Sequence, residues 1–98
     1  MFEWDDTKSE RNLRDRGFDF AFAARIFEGD VLEHEDRRAD YRERRTVAVG
    51  EIEEDVFVVV YTSRGDARRI ISARRANKKE RHAYRQAFGR ASPQDREG

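Results

Sequence analysis

The chain has 98 residues and a mass of 11.6 kDa, a length that supports one hydrophobic core and therefore one domain. Charged residues make up 43% of it, but 11% aromatic residues and a net charge of zero favour folding over disorder. Cysteine is absent, which excludes disulfide scaffolds, thiolate zinc sites and thiol nucleophiles. Because no signal peptide or membrane-length apolar run is present, we expect a cytoplasmic protein without membrane contact.

Positive charge is concentrated in the last third of the chain. Residues 1–63 carry a net charge of −7, residues 64–90 one of +8, and the final eight residues one of −1. Of the 21 cationic residues 18 are arginine, whose planar guanidinium binds phosphate through two hydrogen bonds. A GC-rich genome is an alternative explanation for the arginine content, but it accounts less readily for the cluster after residue 63. We therefore expect one face of the protein to attract polyanions.

Two helices are predicted at the start of the chain. Thr7 and Glu10 form a capping box for the first, and Gly17 ends it. Asp19 caps the second, which ends before Gly29. Its apolar stripe consists of Phe20, Ala23, Ala24 and Phe27.

After these helices the hydrophobic pattern changes to that of strands. Four strands are predicted, at residues 31–35, 45–52, 56–61 and 68–74. Short polar turns at 53–55 and 63–66 join the last three strands, so we expect them to pair antiparallel.

A last helix is predicted from Asn77 to about Phe88, because Asn77 and Glu80 form a second capping box. Its apolar stripe consists of Ala83, Tyr84, Ala87 and Phe88. The fold class is therefore α+β, with two N-terminal helices, an antiparallel sheet of about four strands and a C-terminal helix. We expect one domain at residues 1–89, helices on one face of the sheet, a partly open second face, and a disordered tail at 90–98.

Five arginines lie on the last predicted strand and at its ends: Arg64, Arg68, Arg69, Arg74 and Arg75. Strict alternation places Arg68 and Arg74 on one face and Arg69 on the other, unless a bulge intervenes. They are candidates for a phosphate-binding site, and solvated edge charges are the alternative.

Short motifs extend along most of the chain. In order they are FEWD at 2–5, Lys8, NLR at 12–14, Gly17, Phe20, ERR at 43–45, Gly50, VVYTSRG at 59–65, RIISARRA at 69–76, Glu80 with Arg81, and Tyr84. In their order and spacing they resemble the BrnT family of bacterial toxins, over residues 2 to about 86. The chain differs from the family pattern at Asp15 and Arg16, where Lys and His usually stand, and at Ala39, where His often stands.

The resemblance implies a ribonuclease toxin with a RelE-like fold, which cleaves cellular RNA without a metal or other cofactor and inhibits growth. It also implies a BrnA-type antitoxin that neutralises the toxin and represses their shared operon, so that DNA is contacted only through the antitoxin. It leaves open a dimer or a heterotetramer with the antitoxin. The differences at Asp15, Arg16 and Ala39 suggest an alternative, a non-catalytic remnant that still binds antitoxin or nucleic acid.

Metal-free RNA cleavage uses the 2′-hydroxyl as nucleophile, so it needs a base, an acid and cations for the charge that develops on the phosphate. Arginine supplies only the cations, and we assign Arg64, Arg69 and Arg74 to this part of catalysis. Proton transfer is left open among Lys8, Glu43, Glu80, Tyr61, His34 and His82, with Lys8 and Glu80 placed in the candidate catalytic set. The expected RNA-binding residues are Arg68, Arg75, Lys78, Lys79, Arg81 and Tyr61. A metal site at 33–36 is not expected, because adjacent strand residues point to opposite faces.

Overall fold

The computed structural model describes residues 1–38, 40 and 42–89. In chain order the elements are β1 (Phe2–Trp4), α1 (Asp6–Arg16), α2 (Phe20–Ala23), a 3₁₀ helix (Ala24–Glu28), β2 (Val31–Glu35), β3 (Thr46–Ile52), β4 (Asp55–Arg64), β5 (Ala67–Arg75) and α3 (Lys78–Ala87). The predicted α+β class is confirmed. The predicted tail at 90–98 and the difference at Ala39 lie outside the described residues. No helix in the described ranges is long and apolar enough to cross a membrane.

The sheet has five strands in the order β1-β5-β4-β3-β2. Strands β2 to β5 pair antiparallel as predicted, but β1 pairs parallel with β5. The predicted sheet of about four antiparallel strands is therefore wrong by one strand, and the sheet is mixed. With three residues, β1 is too short to show the alternation that identifies a strand in a sequence.

The ends of the first two helices follow local capping rules. The carboxylate of Asp5, in place of the predicted Thr7, caps α1 by accepting a 3.1 Å hydrogen bond from the Lys8 backbone N–H. Gly17 ends α1 as predicted, in the left-handed conformation with φ 87°. Asp19 caps α2 as predicted, with a 2.8 Å bond from Phe22, although the predicted second helix divides into α2 and the 3₁₀ helix.

Helices pack on both faces of the sheet, where only one covered face was expected. On the first, called the α2 face, α2 and the 3₁₀ helix place Phe20 and Ile26 against a core that includes Phe57. On the second, called the α3 face, Tyr84 of α3 packs against a group of valines that includes Val58. The rest of the α3 face is an open cleft.

The apolar stripe predicted for α3 is partly wrong, because Ala83 and Ala87 are exposed. Tyr84 is buried as expected, and so is the charged Arg85. The Arg85 guanidinium is neutralised by a 2.8 Å ion pair with Glu51 of β3, which lets a cation contribute to the packing of α3 on the sheet.

Gly50 allows the 3₁₀ helix to pack closely on β3. A Cβ at position 50 would lie 2.6 Å from Cβ of Ile26, which is fully buried. We expect Gly50→Ala to lower the free energy of unfolding by about 2 kcal/mol through overpacking and the Tm by about 10 °C. Thermal and urea unfolding followed by circular dichroism will measure both values.

Gly29→Ala is the matched control, because Gly29 has extended backbone and an added Cβ there would meet nothing within 4 Å. Equal stability of the two variants would contradict the close packing of the 3₁₀ helix on β3.

Candidate functional site

The open part of the α3 face is a cleft of about 420 Å³. Its floor consists of Val47, Val58, Val60 and Ser72, from β3, β4 and β5. Its rim is charged and consists of Arg16, His34, Glu35, Asp36, Arg37, Arg38, Arg74 and Glu80. An apolar floor with charged groups around it is a common form of ligand site.

A bulge in β5 decides which arginines reach this face. Val60 pairs with Ser72 but Tyr61 pairs with Ile70, so Ile71 is the extra residue. The bulge reverses the alternation, and Arg74 therefore shares the α3 face with Arg69 instead of with Arg68. The placement predicted by strict alternation is wrong for this reason.

Arg74 is fixed by a two-point ion pair with Glu80. Its Nη1 and Nη2 groups donate to the two carboxylate oxygens of Glu80 at 2.8 and 2.7 Å. Glu80 also accepts a 2.8 Å bond from the Asn77 backbone N–H and so completes the predicted capping box of α3. The hydrogen bonds from Arg74 are the main cause that lowers the pKa of Glu80, and the same pairing raises the pKa of Arg74. Glu80 is thus an ionised, fully engaged carboxylate and a weak base.

The other cleft carboxylates are also paired with arginines. Buried Asp36 accepts 2.9 and 2.8 Å bonds from Arg38, and Glu35 lies 3.1 Å from Arg37. Arg38 is near enough to Arg74 for charge repulsion to oppose the rise in the pKa of Arg74 that Glu80 causes. Arg38 thus adds positive potential beside Arg74, which favours an anion in this part of the cleft.

Arg16, at the C-terminal end of α1, brings a further positive charge to the cleft. Its Nη1 donates to the Ala73 carbonyl at 2.9 Å and to Oδ1 of Asn12 at 3.0 Å, both neutral acceptors. Within the described part of the chain no carboxylate pairs with it, and its Nε and Nη2 have no acceptor. Arg16 is therefore oriented by the backbone and keeps donors for a ligand.

His34 is the imidazole that lines the cleft. It lies on β2 opposite Val47, is exposed, and is near enough to Glu80 to contribute to the lowered pKa of that carboxyl. The sequence named His34 as one of six candidates for proton transfer without selecting it, because it falls in none of the family motifs. The alternation of side chains along β2 could have separated His34 from Glu33, because it places the two residues on opposite faces of the sheet.

Tyr61 and Arg68, both expected to bind RNA, lie on the α2 face. Tyr61 is buried in the core and its hydroxyl donates a 2.7 Å bond to Glu33. Burial is the main cause that raises the pKa of Tyr61, with Glu33 adding to it. The Arg68 guanidinium lies 4.5 Å from the centre of the Phe27 ring and 5.5 Å from that of Tyr61. The structure does not bring either residue to the cleft.

Arg75 lies on the α2 face as well, where it stacks on Phe57 at 5.2 Å and pairs with Asp55 at 3.2 Å. The strand register places Arg64 and Arg69 on the α3 face near the β4–β5 turn, and neither residue lines the cleft. Lys8 lies on α1 beside a second groove. The remaining candidates are exposed outside the cleft lining: Glu43 before β3, and Lys78, Lys79, Arg81 and His82 on α3.

A family model described as the ribonuclease toxin BrnT of type II toxin-antitoxin systems matches residues 4–80. The match covers well over half of the chain and includes every residue of the cleft rim. No curated protein matches the chain.

Proposed function

The chain belongs to the BrnT family of ribonuclease toxins of type II toxin-antitoxin systems, and from this premise we propose that it cleaves RNA in the cleft without a metal ion. The family implies an RNA substrate and an antitoxin partner. The observation that carries the proposal is that Arg16, Arg38, Arg74 and His34 line one cleft, whose floor is made mostly of valines.

Metal-free RNA cleavage needs a group that transfers protons and cations that stabilise the phosphate. The 2′-hydroxyl attacks the adjacent phosphorus and loses its proton to a base. The bond from phosphorus to the 5′-oxygen then breaks, and that oxygen takes up a proton. The products are a 2′,3′-cyclic phosphate and a 5′-hydroxyl, and negative charge increases on the phosphoryl oxygens as the reaction proceeds.

His34 transfers the protons in this proposal. Imidazole exchanges protons near neutral pH, whereas Glu80 is kept ionised by Arg74 and both its oxygens are engaged. Glu80 is therefore assigned a positioning role, which is to fix the guanidinium of Arg74. Arg74 stabilises the charge that develops on the phosphate, and the free donors of Arg16 bind its oxygens.

The antitoxin in this proposal is of the BrnA type and neutralises the toxin by covering the cleft and α3. The exposed cations of α3, Lys78, Lys79 and Arg81, are available to RNA when the antitoxin is absent. The RelE-like fold implied by the family resemblance is part of the same proposal, supported by the α+β class and by a site on an open sheet face beside the C-terminal helix.

We expect the purified chain to cleave single-stranded RNA in the presence of EDTA and to leave cyclic phosphate ends. Expression without antitoxin should arrest growth, and co-expression of the antitoxin should restore it. RNA ends determined by sequencing and mass spectrometry will test the chemistry. Intact RNA at every pH, together with tight antitoxin binding, would instead support the non-catalytic remnant.

A further inference from the structure

A second groove lies next to the cleft, between α1 and β5, with a volume of about 240 Å³. Lys8, Arg11 and Asp15 line it from α1, and Ile71 and Ser72 line it from β5. The α1 residues are spaced by three and four positions, so they lie along one side of the helix. This space is called the α1 groove.

The α1 groove borders the cleft. Arg16 and Ser72 line both of them, so the two spaces meet at these two residues. The helix rises 1.5 Å per residue, so the path from Lys8 to Arg16 measures about 12 Å. That length accommodates more than one nucleotide.

The charges of the α1 groove suit a polyanion. Lys8 and Arg11 are exposed, and among the described residues no carboxylate lies within ion-pair distance of either. Asp15 is the one acidic residue that lines this groove in the described part of the chain. With Arg16 at the junction, three cations face one carboxylate along the path.

We propose that the α1 groove binds the sugar–phosphate backbone of the RNA next to the cleavage point, so that the protein holds a run of nucleotides on one side of the scissile bond. The inference rests on the proposed ribonuclease function and assigns Lys8 to backbone binding in place of catalysis. The groove offers mainly charged side chains, so it contributes affinity without base selectivity.

The direct test is binding of a long single-stranded RNA whose 2′-hydroxyls are methylated, measured by fluorescence anisotropy at several salt concentrations. We expect the Lys8→Gln, Arg11→Gln double variant to bind severalfold more weakly. The slope of log K against log salt should become shallower by about 0.7 for each phosphate that the variant no longer neutralises. Asp15→Asn should bind more tightly than the parent chain.

Arg14→Gln is the matched control for Arg11→Gln, since Arg14 is an exposed arginine one turn further along α1 that does not line the groove. Arg11→Gln should weaken binding and Arg14→Gln should not. Equal binding by the parent chain, the double variant and Arg14→Gln would overturn the proposal. Loss of antitoxin binding in the double variant with RNA binding intact would assign the groove to the antitoxin instead.

Cleavage assays separate this inference from the proposed function. Arg11→Gln should cleave a dinucleotide as fast as the parent chain and a long RNA with a higher KM. If it loses dinucleotide cleavage while remaining folded, the groove acts in the reaction itself and the inference is wrong. Because methylated RNA cannot be cleaved through its 2′-oxygen, the binding comparison decides the inference even if the chain cleaves no RNA.

Discussion

Arg74→Ala should lower kcat for RNA cleavage by about 100-fold to 1000-fold, the usual effect of removing a group that stabilises developing charge. Arg74 lines the cleft and is held in one orientation by Glu80. Its side chain is 45% exposed, so loss of the ion pair should change the free energy of unfolding by less than about 1 kcal/mol. Single-turnover cleavage and urea unfolding of the same preparations will measure both quantities.

Arg75→Ala provides a closely matched control. Arg75 is the next residue of the same strand, is also ion-paired and partly exposed, but lies on the α2 face. Cleavage should be close to that of the parent chain. An equal loss of activity in both variants would show that general positive charge, and not the cleft, governs cleavage.

The pH dependence of stability gives Arg74→Ala a second readout. The folded-state pKa of Glu80 is lowered, chiefly by Arg74, so the pair stabilises the fold above the unfolded-state pKa of glutamate, about 4.3. This contribution is lost as the pH falls through the lower folded-state pKa. The difference in unfolding free energy between the parent chain and the variant should therefore shrink in acid.

His34→Gln should lower kcat by about 100-fold to 10,000-fold, the usual contribution of a general acid or base. Glutamine retains polarity and hydrogen bonding but cannot exchange a proton. The parent chain should show a limb in its pH–rate profile that depends on the imidazole. The variant should lack that limb, which a purely structural role would not explain.

His82→Gln is the control, because His82 is exposed on α3 and does not line the cleft. It should retain both the rate and the pH profile of the parent chain. An unchanged pH profile in His34→Gln would remove His34 from the mechanism and leave proton transfer to the other candidates. Of these Glu80 lines the cleft, so Glu80→Gln would be the next variant to measure.

Much of the fold could be predicted from local patterns. Helix ends depend on bonds between residues a few positions apart. The predicted helix ends at Gly17, at Asp19 and at Asn77 with Glu80 were therefore confirmed. The continuous apolar run of β4 identified the central strand. The Glu53–Glu54 turn was predicted by polarity, although its two positive φ angles, 52° and 74°, would favour glycine or asparagine.

The cleft was less predictable, because it depends on contacts between distant segments. The bulge at Ile71 has no composition signal, yet it decides which of Arg68 and Arg69 shares a face with Arg74. His34 approaches Glu80 only when β2 and α3 have packed on the sheet. Arg16 was noticed as a difference from the family pattern, but its bond to the Ala73 carbonyl requires the unpaired edge of β5 next to β1.

The carboxylate of Glu80 closes the first turn of α3 and at the same time anchors Arg74. Fraying of that turn would free the Glu80 backbone and loosen its hold on the Arg74 guanidinium, which couples the order of the helix start to the geometry of the cleft. A protein partner that unwinds the start of α3 could thus inhibit RNA cleavage without occupying the cleft.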